Sequence, residues 1–175
     1  MDLGWIPTAI GRYPLPIGDA LSNLQWADEP FERALRVADV VRASVRWVAA
    51  VALAARVHHP PASAADPDDE ARRQLTSLRE RGALSDGAWW SLGRALLRPY
   101  ANDATSHPLP GLVSLVHASG ARATTDAQVS ALLRFRNDLA HETPPTADAL
   151  SARFDEILPV LRAFLERLEA VHEGA

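Results

Sequence analysis

Residues 30–57 read PFERALRVADVVRASVRWVAAVALAARV, and the spacing of their apolar positions decides the fold class. Phe31, Leu35, Ala38, Val41, Val45, Val48 and Ala52 recur every three or four residues, the period that gathers side chains on one face of an α-helix. Asp28 or Glu29 stands where a helix begins, and Pro30 suits a first turn because that position has no helical use for an N–H. Towards its end the segment becomes almost entirely apolar, as a helix does when other helices surround it. His58-His59-Pro60-Pro61 closes it. The stretch therefore predicts a helix of about 28 residues at the centre of a helical bundle.

The remaining chain continues in the same style. A second, more charged helix is expected from Asp66-Pro67 to about Arg81, with Gly82 as its stop. Its opening run, DPDDE at 66–70, places acid where the helix dipole favours it. Ser85 caps a third helix carrying Trp89, Trp90, Leu92, Leu96 and Leu97, which ends at Pro99. Residues 109–119 form a short helix, and Thr124 or Thr125 starts another that runs to His141. After Thr143-Pro144-Pro145 a last helix spans about 146–172, bent at Pro159. Residues 1–29, rich in Gly and Pro and carrying Trp5, Tyr13 and Trp26, read as an irregular arm packed on the bundle. No segment alternates with a period of two, so no strands are expected. The expectation is all-α: an irregular arm over 1–29 and a single bundle of about five helices over 30–175.

Composition narrows the function. The 175 residues suit one domain with a substantial core. Having no cysteine, the chain has no disulfides, no thiolate metal site and no cysteine nucleophile. Its net charge of −4 argues against broad coating of nucleic acid, although a small Arg-lined site remains compatible. The first residues lack the basic-then-apolar pattern of a secretory signal, and the longest apolar run, 47–55, is too short to span a bilayer. A cytoplasmic protein without a membrane partner is the expectation. Every one of the 18 basic residues is arginine.

One position breaks the pattern. On an ideal wheel Val129, Leu132, Leu133, Phe135, Leu139 and Ala140 form a broad apolar face, and Arg136 projects from near its middle. A guanidinium there asks for a carboxylate, a second subunit or a phosphate as partner. His141 follows five residues later, at the helix end. The spacing itself has little weight, because 18 Arg and 6 His yield roughly 0.6 such pairs by chance in a chain of this length. Arg167 and His172 repeat it on a polar tail. What distinguishes 136–141 is Arg136-Asn137 set in an apolar helix, with the histidine at the break.

Arg136-Asn137-Asp138-Leu139-Ala140-His141 resembles the R-x4-6-H motif of the HEPN superfamily, small α-helical bundles in which Asn often follows the Arg. The resemblance extends to the apolar helix leading into the motif, the loop behind it, the long closing helix and the long first helix. It implies a metal-independent endoribonuclease, in prokaryotic antiviral defence or as a toxin-like effector, that needs neither metal nor cofactor. Arg136 would clamp the phosphate in bidentate fashion and offset its developing charge. His141 would move protons near neutral pH. Asn137 would orient the imidazole or bind a phosphate oxygen, and Asp138 would fix its tautomer, unless Asp138 forms an i,i+4 pair with Arg134 instead.

Five helical steps set His141 about 140° round from Arg136, and one motif supplies one histidine for two proton transfers. Both difficulties ease in a homodimer, or in a pairing with another HEPN-containing chain, whose motif helices meet across a two-fold axis. RNA would be the substrate, and a regulatory protein a further partner. Alternatively, Arg136 could pair with Asp39 or Asp155, His141 could cap its helix, and the chain could be a non-catalytic module that binds a protein through its Trp-rich surface and Arg136 face, or a nucleotide or small molecule in the bundle groove. Trp89-Trp90 reads as a pair divided between core and interface, His58-His59 as a helix C-terminal cap, and His107 and His117 as isolated loop or surface residues. Phosphate-binding loops, dinucleotide fingerprints, nucleophile elbows and zinc motifs do not occur.

Overall fold

The computed structural model describes residues 3–61, 69–141 and 146–173, with the side chains of His141, His172 and Glu173 outside the described set. Within it are eight α-helices and no strand: α1 (Ile6–Ala9), α2 (Leu15–Gln25), α3 (Pro30–His58), α4 (Asp69–Arg81), α5 (Asp86–Leu97), α6 (Pro110–His117), α7 (Ala121–His141) and α8 (Ala147–Glu173). Short 3₁₀ turns follow α1 (Ile10–Arg12) and α5 (Arg98–Tyr100), and a third precedes α6 (Ala104–Ser106). The all-α class holds, with more helices than the five expected. None of the described helices is long and apolar enough to cross a membrane.

Contacts divide the chain into two units, Met1–Ser44 with Ala127–Glu169, and Val45–Asp126 with Ala170–Ala175. In the first, α8 supplies the most regular stripe. Leu150, Phe154, Ile157, Leu158, Leu161, Leu165 and Leu168 follow the i, i+3, i+4 rhythm and are buried. Thr146 caps this helix, its hydroxyl accepting from the N–H of Ala149 at 3.3 Å. Pro159 lies inside it without ending it. The residue whose carbonyl loses its helical donor is Asp155, and Asp155, Glu156 and Pro159 are all exposed, so water can take the missing donor's place.

The first unit also corrects the reading of 1–29 as irregular. This segment contains α1, α2 and a 3₁₀ turn. The misleading signals were Pro14, Pro16 and Gly18. Pro14 is the N-cap residue of α2 and Pro16 lies in its first turn, where a missing N–H costs nothing. Gly18 is there because the chain closes on itself: a Cβ at this position would stand 2.8 Å from the carbonyl oxygen of Ile10. Behind that contact Ile17, Leu21 and Leu24 are fully buried. Gly18→Val is therefore expected to destabilise the protein by about 1–3 kcal/mol, because the atom in the way is backbone and cannot rotate aside. A denaturant midpoint unchanged by Gly18→Val would contradict this packing.

The segment is also tied to α8. Arg12 Nη1 donates to Glu169 Oε1 at 2.9 Å, Tyr13 Oη donates to Glu169 Oε2 at 3.3 Å, and the Arg162 guanidinium lies 5.7 Å from the Trp5 ring centre. Burial, and then the neighbouring Glu169 carboxylate, push the Tyr13 phenol well above its usual value, so its hydroxyl stays a donor.

In the second unit α5 packs on α3 through Gly93. A Cβ there would come within 3.1 Å of the Val48 side chain and 3.3 Å of the Ala49 backbone. Ser85 caps α5 as expected, accepting from the N–H of Ala88 at 3.2 Å, and Gly82 ends α4 with φ +69°. The start expected at Asp66-Pro67 lies outside the described residues. Helix α7 begins at Ala121 rather than at Thr124 or Thr125, because the Arg122 N–H already bonds the Ala118 carbonyl at 2.9 Å. Thr125 is wholly buried.

His107 is not the surface residue its isolation suggested. It is buried, edge-on to Tyr100 at 4.8 Å, and its Nδ1 accepts from the N–H of Leu109 at 3.0 Å. Tyr100 in turn donates to the His59 carbonyl at 2.9 Å. Burial is the main force lowering the His107 pKa, and the same is true of half-buried His117. A histidine with a depressed folded pKa binds fewer protons folded than unfolded. Its stabilising contribution is complete above the unfolded value near 6.5 and is lost as pH falls below it towards the folded value. Urea midpoints are thus expected to drop between pH 6.5 and 5.5 (the region near about one unit below the unfolded pKa). A profile flat over that range would refute the assignment.

Candidate functional site

The motif occupies the last turns of α7, where the apolar face loses its cover. Val129 and Ala140 are eleven residues apart, so they point within about 20° of each other on a helix. Val129 is 1% exposed, yet Ala140 is open to solvent. Leu132 and Phe135 face the core, whereas Leu133, Arg136 and Leu139 are only half-buried. The expected face thus narrows to a seam of Val129, Leu132 and Phe135. Leu133, Arg136, Asn137 and Ala140, spaced i, i+3, i+4 and i+7, make a second, accessible stripe beside it.

On that stripe Arg136 Nη1 donates to Asn137 Oδ1 at 3.1 Å. Because a guanidinium can only donate, the contact fixes the amide with its oxygen towards Arg136 and its NH2 turned to other acceptors. The pair together presents N–H groups suited to the oxygens of a phosphate. Of the carboxylates considered as partners, Asp39 bonds Arg42 at 2.9 Å and Arg36 at 3.3 Å.

Asp138 is set apart from this pair. Two helical steps turn it about 200° from Arg136. It lines a cavity of about 330 Å3 with Arg134, Arg153, Glu156, Phe135 and Ile157. Among the described residues it makes no ion pair with Arg134. The backbone of α7 stays helical through His141, so the five-residue step keeps its offset of about 140° from Arg136. The His141 side chain lies outside the described residues, as does that of His172 in the second R-x4-H pair. The structure brings Arg136 and Asn137 together and leaves Asp138 on another wall.

Among the described residues no cluster of His, Asp and Glu could hold a metal ion. His58 closes α3, and the His59 N–H continues its ladder to Ala55 at 2.7 Å. Trp90 is buried and Trp89 half-buried. His117, read from sequence as isolated, bonds the Arg94 carbonyl at 3.0 Å on the wall of a second cavity. The only sequence signal for that cavity was the i,i+4 spacing of Arg94 and Arg98. Compared with known families, with characterised proteins and with solved structures, the chain matches none.

Proposed function

We propose that the chain is a metal-independent endoribonuclease of HEPN type, acting at a site shared by two motif helices, in prokaryotic antiviral defence or as a toxin-like effector. The observation that carries this reading is the loss of cover along α7. A buried Val129 gives way to an exposed Ala140, with the Arg136–Asn137 pair on the opened stripe. An open apolar stripe bearing a phosphate-binding pair is what a two-fold interface around RNA would need.

In the reaction, a histidine takes the proton of an RNA 2′-OH as that oxygen attacks phosphorus. The P–O5′ bond breaks, and a second protonated histidine supplies the 5′-oxygen with its proton. Arg136 balances the charge gathering on the non-bridging oxygens, with the Asn137 amide beside it. The two His141 residues of a dimer fill the two proton roles. The products are a 2′,3′-cyclic phosphate and a 5′-hydroxyl.

The test is incubation of the pure protein with RNA in EDTA beside Arg136→Ala and His141→Ala, with His172→Ala as the matched control. Cleavage lost in the first two and kept in the third supports the reading. A strict monomer at high concentration by equilibrium ultracentrifugation counts against it. A second reading, a non-catalytic module that binds a protein, draws on Leu15 (75% exposed) and Trp26 (76%), which are eleven residues apart at the two ends of α2 and so share a face. RNA left intact by wild type would favour it.

A further inference from the structure

The cavity that Asp138 lines is built from two matching stripes within the first unit. On α7, Ala131, Arg134, Phe135 and Asp138 are spaced i, i+3, i+4 and i+7, so they share one face of the helix. On α8, Arg153, Glu156, Ile157 and Val160 repeat that spacing. Together the two stripes line about 330 Å3. Phe135 and Ile157 are buried and Ala131 and Val160 half-buried, which makes one part of the lining apolar. Arg134 and Glu156 are exposed and Asp138 is half-buried, which makes the remainder ionic.

Arg134 and Asp138 stand one turn apart, the spacing of a helical ion pair, but in the weaker order, with the cation nearer the N-terminus. Among the described residues neither of them, nor Glu156, enters an ion pair. Arg153, on the same wall, already has an interaction of its own. The lining therefore combines one guanidinium and two carboxylates, none of them in an ion pair, with apolar surface. That combination selects a guest by elimination. A purely apolar molecule would cover the apolar part but take water from three charges without pairing them. An anion would meet Asp138 and Glu156, and a cation would meet Arg134. A guest that satisfies every group carries a carboxylate, an ammonium and an apolar portion close together. A guanidinium binds a carboxylate in bidentate fashion, and an ammonium has three N–H donors for two acids. The volume stands at the lower end of small-ligand sites, which suits a single amino acid better than a peptide.

We propose that this cavity binds a free α-amino acid with an apolar side chain, its carboxylate held by Arg134, its ammonium shared by Asp138 and Glu156, and its side chain laid against Phe135 and Ile157. The site is independent of the Arg136–Asn137 pair, from which Asp138 is turned away on α7.

Calorimetric titration of the full chain with L-leucine, L-leucinamide, N-acetyl-L-leucine and glycine, at matched ionic strength, tests it. L-leucine is expected to saturate. The amide lacks the carboxylate, the acetyl derivative lacks the ammonium and glycine lacks the side chain, so each should bind about tenfold more weakly or worse. Arg134→Gln should weaken L-leucine by a similar factor and remove its advantage over the amide. Asp138→Asn combined with Glu156→Gln should weaken it likewise and remove its advantage over the acetyl derivative. Arg79→Gln, at an exposed position on α4, makes the same change of charge as Arg134→Gln and should leave binding as it is. The proposal is overturned by no saturable L-leucine binding up to about 10 mM, a range that would still register a millimolar site. It is equally overturned if any of the three analogues binds wild type as tightly as L-leucine, or if L-leucine binding survives both Arg134→Gln and the double acid variant unchanged.

Discussion

Titrating the His141→Ala chain into wild type is expected to lower specific RNA cleavage as the square of the wild-type fraction. If each active site draws one proton acceptor and one proton donor from the two motifs of a dimer, only pairs with both histidines cut RNA. A site complete within one chain would give a linear decline instead, so the curvature of the plot separates the two arrangements. In the pure variants the losses should be large. Removing a general acid–base group typically costs about 10²–10⁴-fold in rate, and removing a donor that stabilises developing charge about 10²–10³-fold. Arg136→Ala and His141→Ala should therefore each reduce cleavage by at least about a hundredfold. Folding stability provides the complementary measurement. Arg136 is half-exposed on an open stripe, so its removal should change stability within about 0.5 kcal/mol. A structural arginine paired in the core would cost about 3–5 kcal/mol on removal. A large drop in melting temperature together with intact cleavage would reverse the assignment of Arg136.

Regular amphipathic period was the part of the fold most legible in the sequence. Helix α3 ends one residue beyond its expected limit, and Ser85, Gly82 and the opening of α8 act at their expected positions, because caps and stops are local chemistry. What period cannot show is which part of an apolar stripe finds a partner. Phe31 and Leu35 continue the α3 stripe in sequence, yet they are 50% and 43% exposed, while Ala34 and Val37 beside them are fully buried. The same effect governs the site. The wheel of α7 placed Arg136 near the middle of an apolar face, and that face ends before Ala140 because cover, a tertiary property, ends there. In the first 29 residues the error ran the other way. Pro14, Pro16 and Gly18 look like breakers, but the prolines stand at the N-cap and in the first turn, and the glycine admits the Ile10 carbonyl. His107 was similarly invisible, since its burial depends on Tyr100 and on its bond with Leu109. Arg136 and Asn137 needed only adjacency and were legible. The cavity at Arg94, Arg98, His117 and Arg122 needs four elements to converge and was not.

Phe164→Ala is expected to be the most damaging single truncation in the first unit. The ring is fully buried on α8, between Leu161 and Leu168, which are equally inaccessible, and Leu165 is buried next to it. Truncation forfeits the transfer free energy of the ring and leaves a cavity that neighbouring helices only partly close. The cost for such changes is about 3–5 kcal/mol. For a domain of this size each kcal/mol moves the melting temperature by about 2–4 °C, so a depression of roughly 6–20 °C should follow. Phe31→Ala makes the matched control. It removes the same atoms from a side chain already half in water, and most of that transfer energy was never gained, so its effect should stay below about 1 kcal/mol. The contrast isolates burial from residue type, and equal effects would show that the α8 stripe does not form the core. A dimer adds one further distinction. If Phe31, Leu35 and their neighbours were covered by a second copy, Phe31→Ala would lower stability more at high protein concentration than at low. If the α7 stripe forms the interface, that concentration dependence belongs to Leu133→Ala instead, because linkage to association stabilises only the state whose contacts the second chain makes.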